Sequence, residues 1–246
     1  MSKRSTSGGE RGRPGKEPVL EPVSETLLGA RAYRAVWNGI LAGRIESGTQ
    51  LRPDLLAEQL EISTTPVREA LHRMEADGLL VKLPYRGWFV REFTEREVRE
   101  LYELRAALEC FSVRLACERI TADEVKQLRA HQTVGEAALR TGDMEAYRNY
   151  NRDLHAGIVE AARNSYLSSA MGQLDLQSQL LIARTIRLVG RPSRAIEEHR
   201  ELVALVAKRQ AKAAQDLMER HILSALEDIV RHAIRKPDES SRVSGL

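Results

Sequence analysis

Six histidines and two cysteines are the side chains of this 246-residue sequence best suited to ligating a metal. His155 follows Asn151 by four residues in a helical pattern, so the two side chains project from one face of one helix. His199 and His221 fall in two further helical segments. Imidazole suits zinc, nickel, copper and iron, so histidines alone do not choose a metal. A lone histidine is more often a surface or satisfied core residue, and His72, His131 and His232 are read that way. His232 lies eleven residues beyond His221 and shares its helical face. Cys110 and Cys117 are seven apart on one helix, roughly 10 Å along its axis, which is too far for a disulfide. They read as small buried hydrophobes in a reducing compartment. No nucleophile motif and no phosphate-cradling glycine loop stands out.

The elements that would position these groups are mostly helical. Hydrophobic residues make up 42% and charged residues 30%, a soluble composition with the charge load of a helix-rich chain. Aromatics at 4% argue against stacking platforms for single-stranded nucleic acid. No apolar run approaches the roughly 20 residues of a membrane span, and the N-terminal stretch lacks the apolar core of a signal peptide. A cytoplasmic location with no membrane partner is expected. The net charge of +3 does not by itself point to nucleic acid.

Residues 1–22 and 237–246 are polar, without periodicity, and are expected to be disordered tails; the first is basic. A helix is expected from about Glu25 to Ala42, with Leu27, Ala30, Tyr33, Trp37, Ile40 and Leu41 inward. Pro53 opens a short helix. After the turn Glu61-Ile62-Ser63-Thr64, a third helix starts with Thr65 as N-cap and Pro66 as its first residue. Two β-like runs, Leu79–Leu83 and Trp88–Arg91, flank the turn Pro84-Tyr85-Arg86-Gly87. Six helices follow. Thr94, Thr121 and Asp143 start the first three, and the first carries Leu101, Leu104, Leu108, Phe111 and Leu115 inward. The fourth runs to about Leu188, Gly190-Arg191-Pro192-Ser193 is a loop, and helices from Ser193 and Ala211 complete the set. The expected fold is mainly α: a winged helix-turn-helix over residues 23–91 and a six-helix bundle over 92–236.

The run Ser63-Thr64-Thr65-Pro66-Val67-Arg68-Glu69-Ala70-Leu71, then Asp77-Gly78-Leu79-Leu80, then Arg86-Gly87-Trp88-Phe89-Val90, resembles the DNA-binding head of the GntR family of bacterial regulators. The resemblance implies a third helix reading the major groove from its N-terminal end, with Thr64, Thr65 and Arg68 contacting DNA. Arg86 and Gly87 of the wing would approach the minor groove. The family often has arginine at the position of Thr64. An arginine-to-guanine pair is worth about 1–3 kcal/mol of discrimination, so a different operator preference is expected. The alternative role for Arg68 is an ion pair with Asp54 or with Glu69 of another subunit.

The helical half resembles the FCD effector domain, through Leu101-Tyr102-Glu103-Leu104-Arg105 to Glu109, Asn151-Arg152-Asp153-Leu154-His155, Ala161-Ala162-Arg163-Asn164-Ser165, Glu198-His199 and His221. Six helices rather than seven suggest the vanillate-regulator branch. The resemblance brings Asn151, His155, His199 and His221 together as ligands of a divalent transition metal, zinc first, with nickel, manganese or iron as alternatives. Many relatives have aspartate at the position of Asn151. Three neutral histidines and an amide leave the ion's charge uncompensated, which favours an anion such as a carboxylate. Arg105, bordering an apolar stripe, is a candidate second anchor for that carboxylate, with a salt bridge to Glu109 as the alternative. Arg184 and Arg187 are further candidates.

The sequence therefore reads as a homodimeric, ligand-responsive transcriptional regulator, a repressor in the main reading. It would bind a pseudo-palindromic double-stranded operator and sense a small organic acid at a metal site. A metal-dependent enzyme is the first competitor, but no general base shares the Asn151 and His155 face; Asp153 points elsewhere. A metal sensor is the second, without a soft thiolate cluster to support it.

Overall fold

The computed structural model describes residues 27–185 and 190–232, apart from the side chains of residues 184 and 185. The expected tails, 1–22 and 237–246, and Arg187 lie outside them, as does the side chain of Arg184. Among the described residues nine helices and three short strands alternate as a head and a bundle.

The head begins with α1 (Leu27–Leu41). Its buried face is Gly29, Ala32, Val36, Gly39, Ile40 and Leu41, while Leu27 is largely exposed. Of the expected stripe, Ile40 and Leu41 are buried and Tyr33 and Trp37 pack against the core, while Leu27 and Ala30 are exposed. Tyr33 packs against the core from its edge, and its hydroxyl donates to Asp77 at 2.6 Å, at the end of α3. Pro53 opens α2 (Pro53–Leu60), which a left-handed Glu61 terminates. The next helix, α3, spans Thr64–Ala76, with Ser63 as its N-cap. Thr65 is thus the second helical residue and not the cap. Proline fits there because the first turn's N–H groups have no intrahelical acceptor.

The wing has one strand more than expected. β2 (Leu80–Leu83) and β3 (Gly87–Val90) form the hairpin, and β1 (Gln50–Leu51) pairs with β3 on the other side, Gln50 opposite Phe89. The hairpin turn closes through the Arg86 N–H to the Leu83 carbonyl at 3.1 Å. Tyr85 occupies it at φ 59° and Gly87 follows at φ 83°. Left-handed backbone costs a residue with a Cβ on the order of 1 kcal/mol.

The bundle comprises α4 (Glu95–Arg119), α5 (Ala122–Thr141), α6 (Met144–Ala161), α7 (Ser165–Thr185), α8 (Arg191–Ala207) and α9 (Ala211–His232). Thr94 and Thr121 each close a capping box, with Glu97 and Glu124, and Asp143 caps α6. α4 packs along α9, and α5 against α6 and α8. One hydrophobic cluster continues from Val36, Leu71 and Trp88 in the head to Tyr102, Leu154 and Ile222 in the bundle. At the junction Arg91 pairs with Glu97 at 2.8 Å, and Arg148 donates to the Leu41 carbonyl at 3.3 Å.

Two expectations fail in the bundle. Leu104 is 49% and Phe111 43% exposed, because α4 turns its inward face through Val98, Tyr102, Arg105, Glu109 and Ser112. The stretch read as a loop at Gly190-Arg191-Pro192-Ser193 is a helix start. Gly190, at φ 81°, is the N-cap, and Arg191 and Pro192 are the first helical residues. Among the described residues no helix is long and apolar enough to cross a membrane.

Candidate metal centre and DNA-reading surface

His155 from α6, His199 from α8 and His221 from α9 meet inside the bundle, with one ring nitrogen of each within 4.8 Å of the others. All three are buried. The Nε2 atoms of His199 and His221 stand 3.2 Å apart. His155 Nε2 is buried with no hydrogen-bond partner.

The outer nitrogens explain the orientation. His155 Nδ1 meets Glu109, and His221 Nδ1 meets Glu198 at 2.6 Å. His199 Nδ1 meets the Tyr150 hydroxyl at 3.0 Å. Tyr150 spends its proton on Gln132 Oε1 at 2.6 Å, and the Gln132 amide is itself oriented by donating to the Ile196 carbonyl at 3.0 Å. The phenol oxygen is therefore an acceptor, so His199 carries its proton on Nδ1 and its lone pair on Nε2. The carboxylates impose the same tautomer on the other two rings.

Three lone pairs then face one point. Without a cation between them, two acceptors 3.2 Å apart repel, and His155 Nε2 is an unsatisfied buried acceptor. Two nitrogens bound to one ion at about 2.0–2.1 Å sit roughly 3–3.4 Å apart. The donor set fits a divalent metal. Burial, followed by the other histidines, pushes the His199 pKa well below its usual value, and burial brings His221 to about 4. Neutral imidazole is the form that ligates.

Asn151, one turn before His155, lines a cavity of about 40 Å³ with Arg105, Tyr147, His155, Ile182, Arg191 and His221. That is room for a few water-sized groups. Arg105 makes the salt bridge that was the alternative to a carboxylate anchor. Its Nε donates to Glu109 at 2.6 Å, and the side chain still lines the cavity. Burial alone would raise the Glu109 pKa, but Arg105 and then His155 bring it down to about 2. Glu109 is thus ionised.

Arg191 was missed. It is 9% exposed, and its Nε lies 3.2 Å from Asp228. Its Nη1 lies 3.6 Å from Glu198 and has no hydrogen-bond partner. Asp228 also pairs with Arg194. These neighbours revise the charge argument made from the histidines alone, since Glu109 and Glu198 touch the rings of His155 and His221. Glu109, Glu198 and Asp228 are met by Arg105, Arg191 and Arg194, and Asp175, its carboxyl pushed up by burial, is a further acid facing Arg105 and His155. Asp153 is outside the site, paired with Arg152. His131 and His232 are exposed.

On the head, Thr64, Thr65 and Arg68 are exposed at the start of α3, while Val67, Ala70, Leu71 and Met74 hold it from below. Ser63 gives no side-chain cap, so the first-turn N–H groups have no side-chain acceptor from it. Asp54 pairs with Arg52 and not with Arg68. His72, one turn beyond Arg68, meets Trp88 of β3 edge-on at 4.9 Å. Lys82 lies over the same indole, and Arg86 over Phe89. Arg68 and the wing cations thereby belong to one surface. A Cβ on Gly87 would meet nothing within 4 Å, so its approach side is open.

A winged helix joined to a helical bundle with a histidine-lined core defines a two-domain DNA-binding regulator. Residues 28–90 match the gntR family of bacterial regulatory proteins, and residues 100–224 match the FCD domain. The chain belongs to the GntR family, with an FCD domain, and is a DNA-binding transcriptional regulator rather than an enzyme. It is 30% identical over 189 residues to the Nta operon transcriptional regulator of Aminobacter aminovorans, covering 74% of this chain and 85% of that one. It is also 30% identical over 207 residues to a probable D-xylose utilization operon transcriptional repressor of Paenarthrobacter nicotinovorans, covering 83% and 89%. The solved structure of Escherichia coli McbR/YncC superposes with a TM-score of 0.72 at 24% identity, over 85% of this chain and 99% of that one, a likeness of fold.

Proposed function

We propose that this regulator is a homodimeric repressor whose operator affinity is set by a small organic acid bound beside a metal ion in the helical domain. Residues 23–91 form the reading head in this proposal and 92–236 the sensor. The observation that carries the reading is the convergence of three histidine lone pairs on one point, with His155 Nε2 left unsatisfied. His155, His199 and His221 would hold the ion, with the Asn151 amide oxygen at the cavity edge as the fourth candidate. Zinc is the first choice, and nickel, manganese or iron are alternatives. The ion supplies a positive centre with open positions. Arg105 and Arg191 line the same cavity, which suits a carboxylate lying between ion and guanidinium. The contribution of Arg184 remains part of this proposal without a described side chain. The six bundle helices suit the vanillate-regulator branch.

On the head, Thr64, Thr65 and Arg68 would meet the major groove and Arg86 and Gly87 the minor groove, one head per half-site. The repressor sign follows relatives such as the xylose operon repressor named above.

The test is thermal stability against a panel of monocarboxylates, dicarboxylates and sugar acids, on metal-loaded and chelator-stripped protein. A ligand that binds only the folded state raises Tm by mass action. The expected result is a shift in metal-loaded protein alone, reduced by Arg191→Ala. An equal shift in stripped protein would remove the ion from the ligand site.

A further inference from the structure

We propose that Tyr85, at the tip of the wing, is a minor-groove contact that makes this regulator prefer A·T pairs flanking its half-sites. The inference rests on the head being a DNA reader and adds a residue that the family motif does not supply.

Tyr85 is the third residue of the turn closed by the Arg86 N–H to the Leu83 carbonyl, after Pro84. It sits at φ 59°, the left-handed region that glycine or asparagine occupies with least strain. A tyrosine there weakens the turn. Folding gains nothing back, because the side chain is fully exposed. A large ring held in unfavourable backbone and given no intramolecular burial is explained by a contact outside the chain.

The surroundings say what that contact is. Arg86 follows directly, exposed and laid over Phe89 at 5.3 Å, and Lys82 lies over Trp88 at 4.8 Å. Trp88 in turn touches His72, one turn along α3 from Arg68. The ring therefore stands beside the wing cations Lys82 and Arg86, with Glu75, which accepts from the Trp88 indole N–H at 2.9 Å, between them and α3's exposed first turn. Its complement is a polyanion with a narrow, apolar-walled channel, the minor groove of duplex DNA. The flat face of the ring suits the deoxyribose wall, and the phenol hydroxyl can donate to adenine N3 or thymine O2. A G·C pair places an amino group on the same floor. Gly87, open on its approach side, lets the strand behind the ring come close.

The experiment uses the full chain and a two-half-site duplex selected from random-sequence DNA with that chain. The base pairs under the wing are then set to all A·T or all G·C. Three variants are compared: Tyr85→Gly, Tyr85→Phe and Arg68→Ala. Tyr85→Gly removes the ring and relieves the backbone, so Tm should stay level or rise while binding to the A·T duplex weakens about tenfold. The wild-type preference for A·T over G·C should shrink to near unity in Tyr85→Gly. Tyr85→Phe should keep ring-dependent affinity and lose part of the A·T preference. The proposal fails if Tyr85→Gly binds both duplexes like the wild type while Arg68→Ala binds weakly. If Arg68→Ala also binds like the wild type, the assignment of the reading surface fails instead.

Discussion

His199 shows how far a single side chain's chemistry is set by residues that never touch a ligand. A backbone carbonyl orients Gln132, Gln132 takes the Tyr150 proton, and Tyr150 leaves His199 with its lone pair directed inward. Tyr150→Phe removes the acceptor and frees the ring to flip or change tautomer. Loss of such outer partners typically costs 10–100-fold in metal affinity. A chelator competition titration should show a loss in that range with the fold intact by circular dichroism; unchanged affinity would detach the relay from the site. Of these residues the sequence exposed the three histidines and Asn151, through their spacing and the family pattern. Glu109 and Glu198 were visible only as a helix-pair partner and a neighbour of His199. The pairing of carboxylate with ring is a tertiary fact, and no local period encodes it.

Elements were legible in proportion to their length and punctuation. The threonine caps at 94 and 121 were readable because a glutamate stands three residues on from each. Strand β1 was not, since two residues cannot display an alternation. Gly190-Arg191-Pro192 misled because glycine and proline mark loops, yet both also belong at a helix start. The cost was Arg191, buried at the first position of α8. The cap of α4 makes its own prediction. Backbone and side-chain hydrogen bonds from Thr94 and Arg91 hold the Glu97 carboxyl at about 2, against an ordinary 4.5. A depressed carboxyl stabilises the fold fully above its unfolded value and loses that contribution as pH falls from about 4.5 to about 2. Thr94→Ala should cost about 0.5–2 kcal/mol at neutral pH. Glu97→Gln removes the carboxylate itself, and urea melts should show its gap from wild type narrowing through that acid window; a constant gap would mean the ionised Glu97 is not the source.

For the whole molecule, the exposed Leu104 and Phe111 of α4 are the residues that sequence periodicity placed in the core. The helix has apolar residues on two sides, and periodicity alone cannot tell a core stripe from an interface stripe. The inner side carries Arg105 to the cavity and Glu109 to His155, and on the proposed homodimer the outer side would meet the second copy of the chain. Phe111→Glu should leave Tm of the folded unit near its wild-type value, shift sedimentation from dimer to monomer, and weaken binding to a two-half-site operator much more than to a single half-site. A variant that still sediments as a dimer would place the interface elsewhere.

Helix α4 runs unbroken for 25 residues from the end of the wing past the cavity, about 37 Å of rod. The Arg91–Glu97 pair and the Arg148 contact to Leu41 tie the head to the bundle near its start. A rod of that length works as a lever. A tilt of about 5° pivoted at its far end sweeps its start by roughly 3 Å, close to the rise of one base pair. A ligand too small to reshape the bundle would need only to lean on this shaft to carry a reading head out of step with its half of the operator.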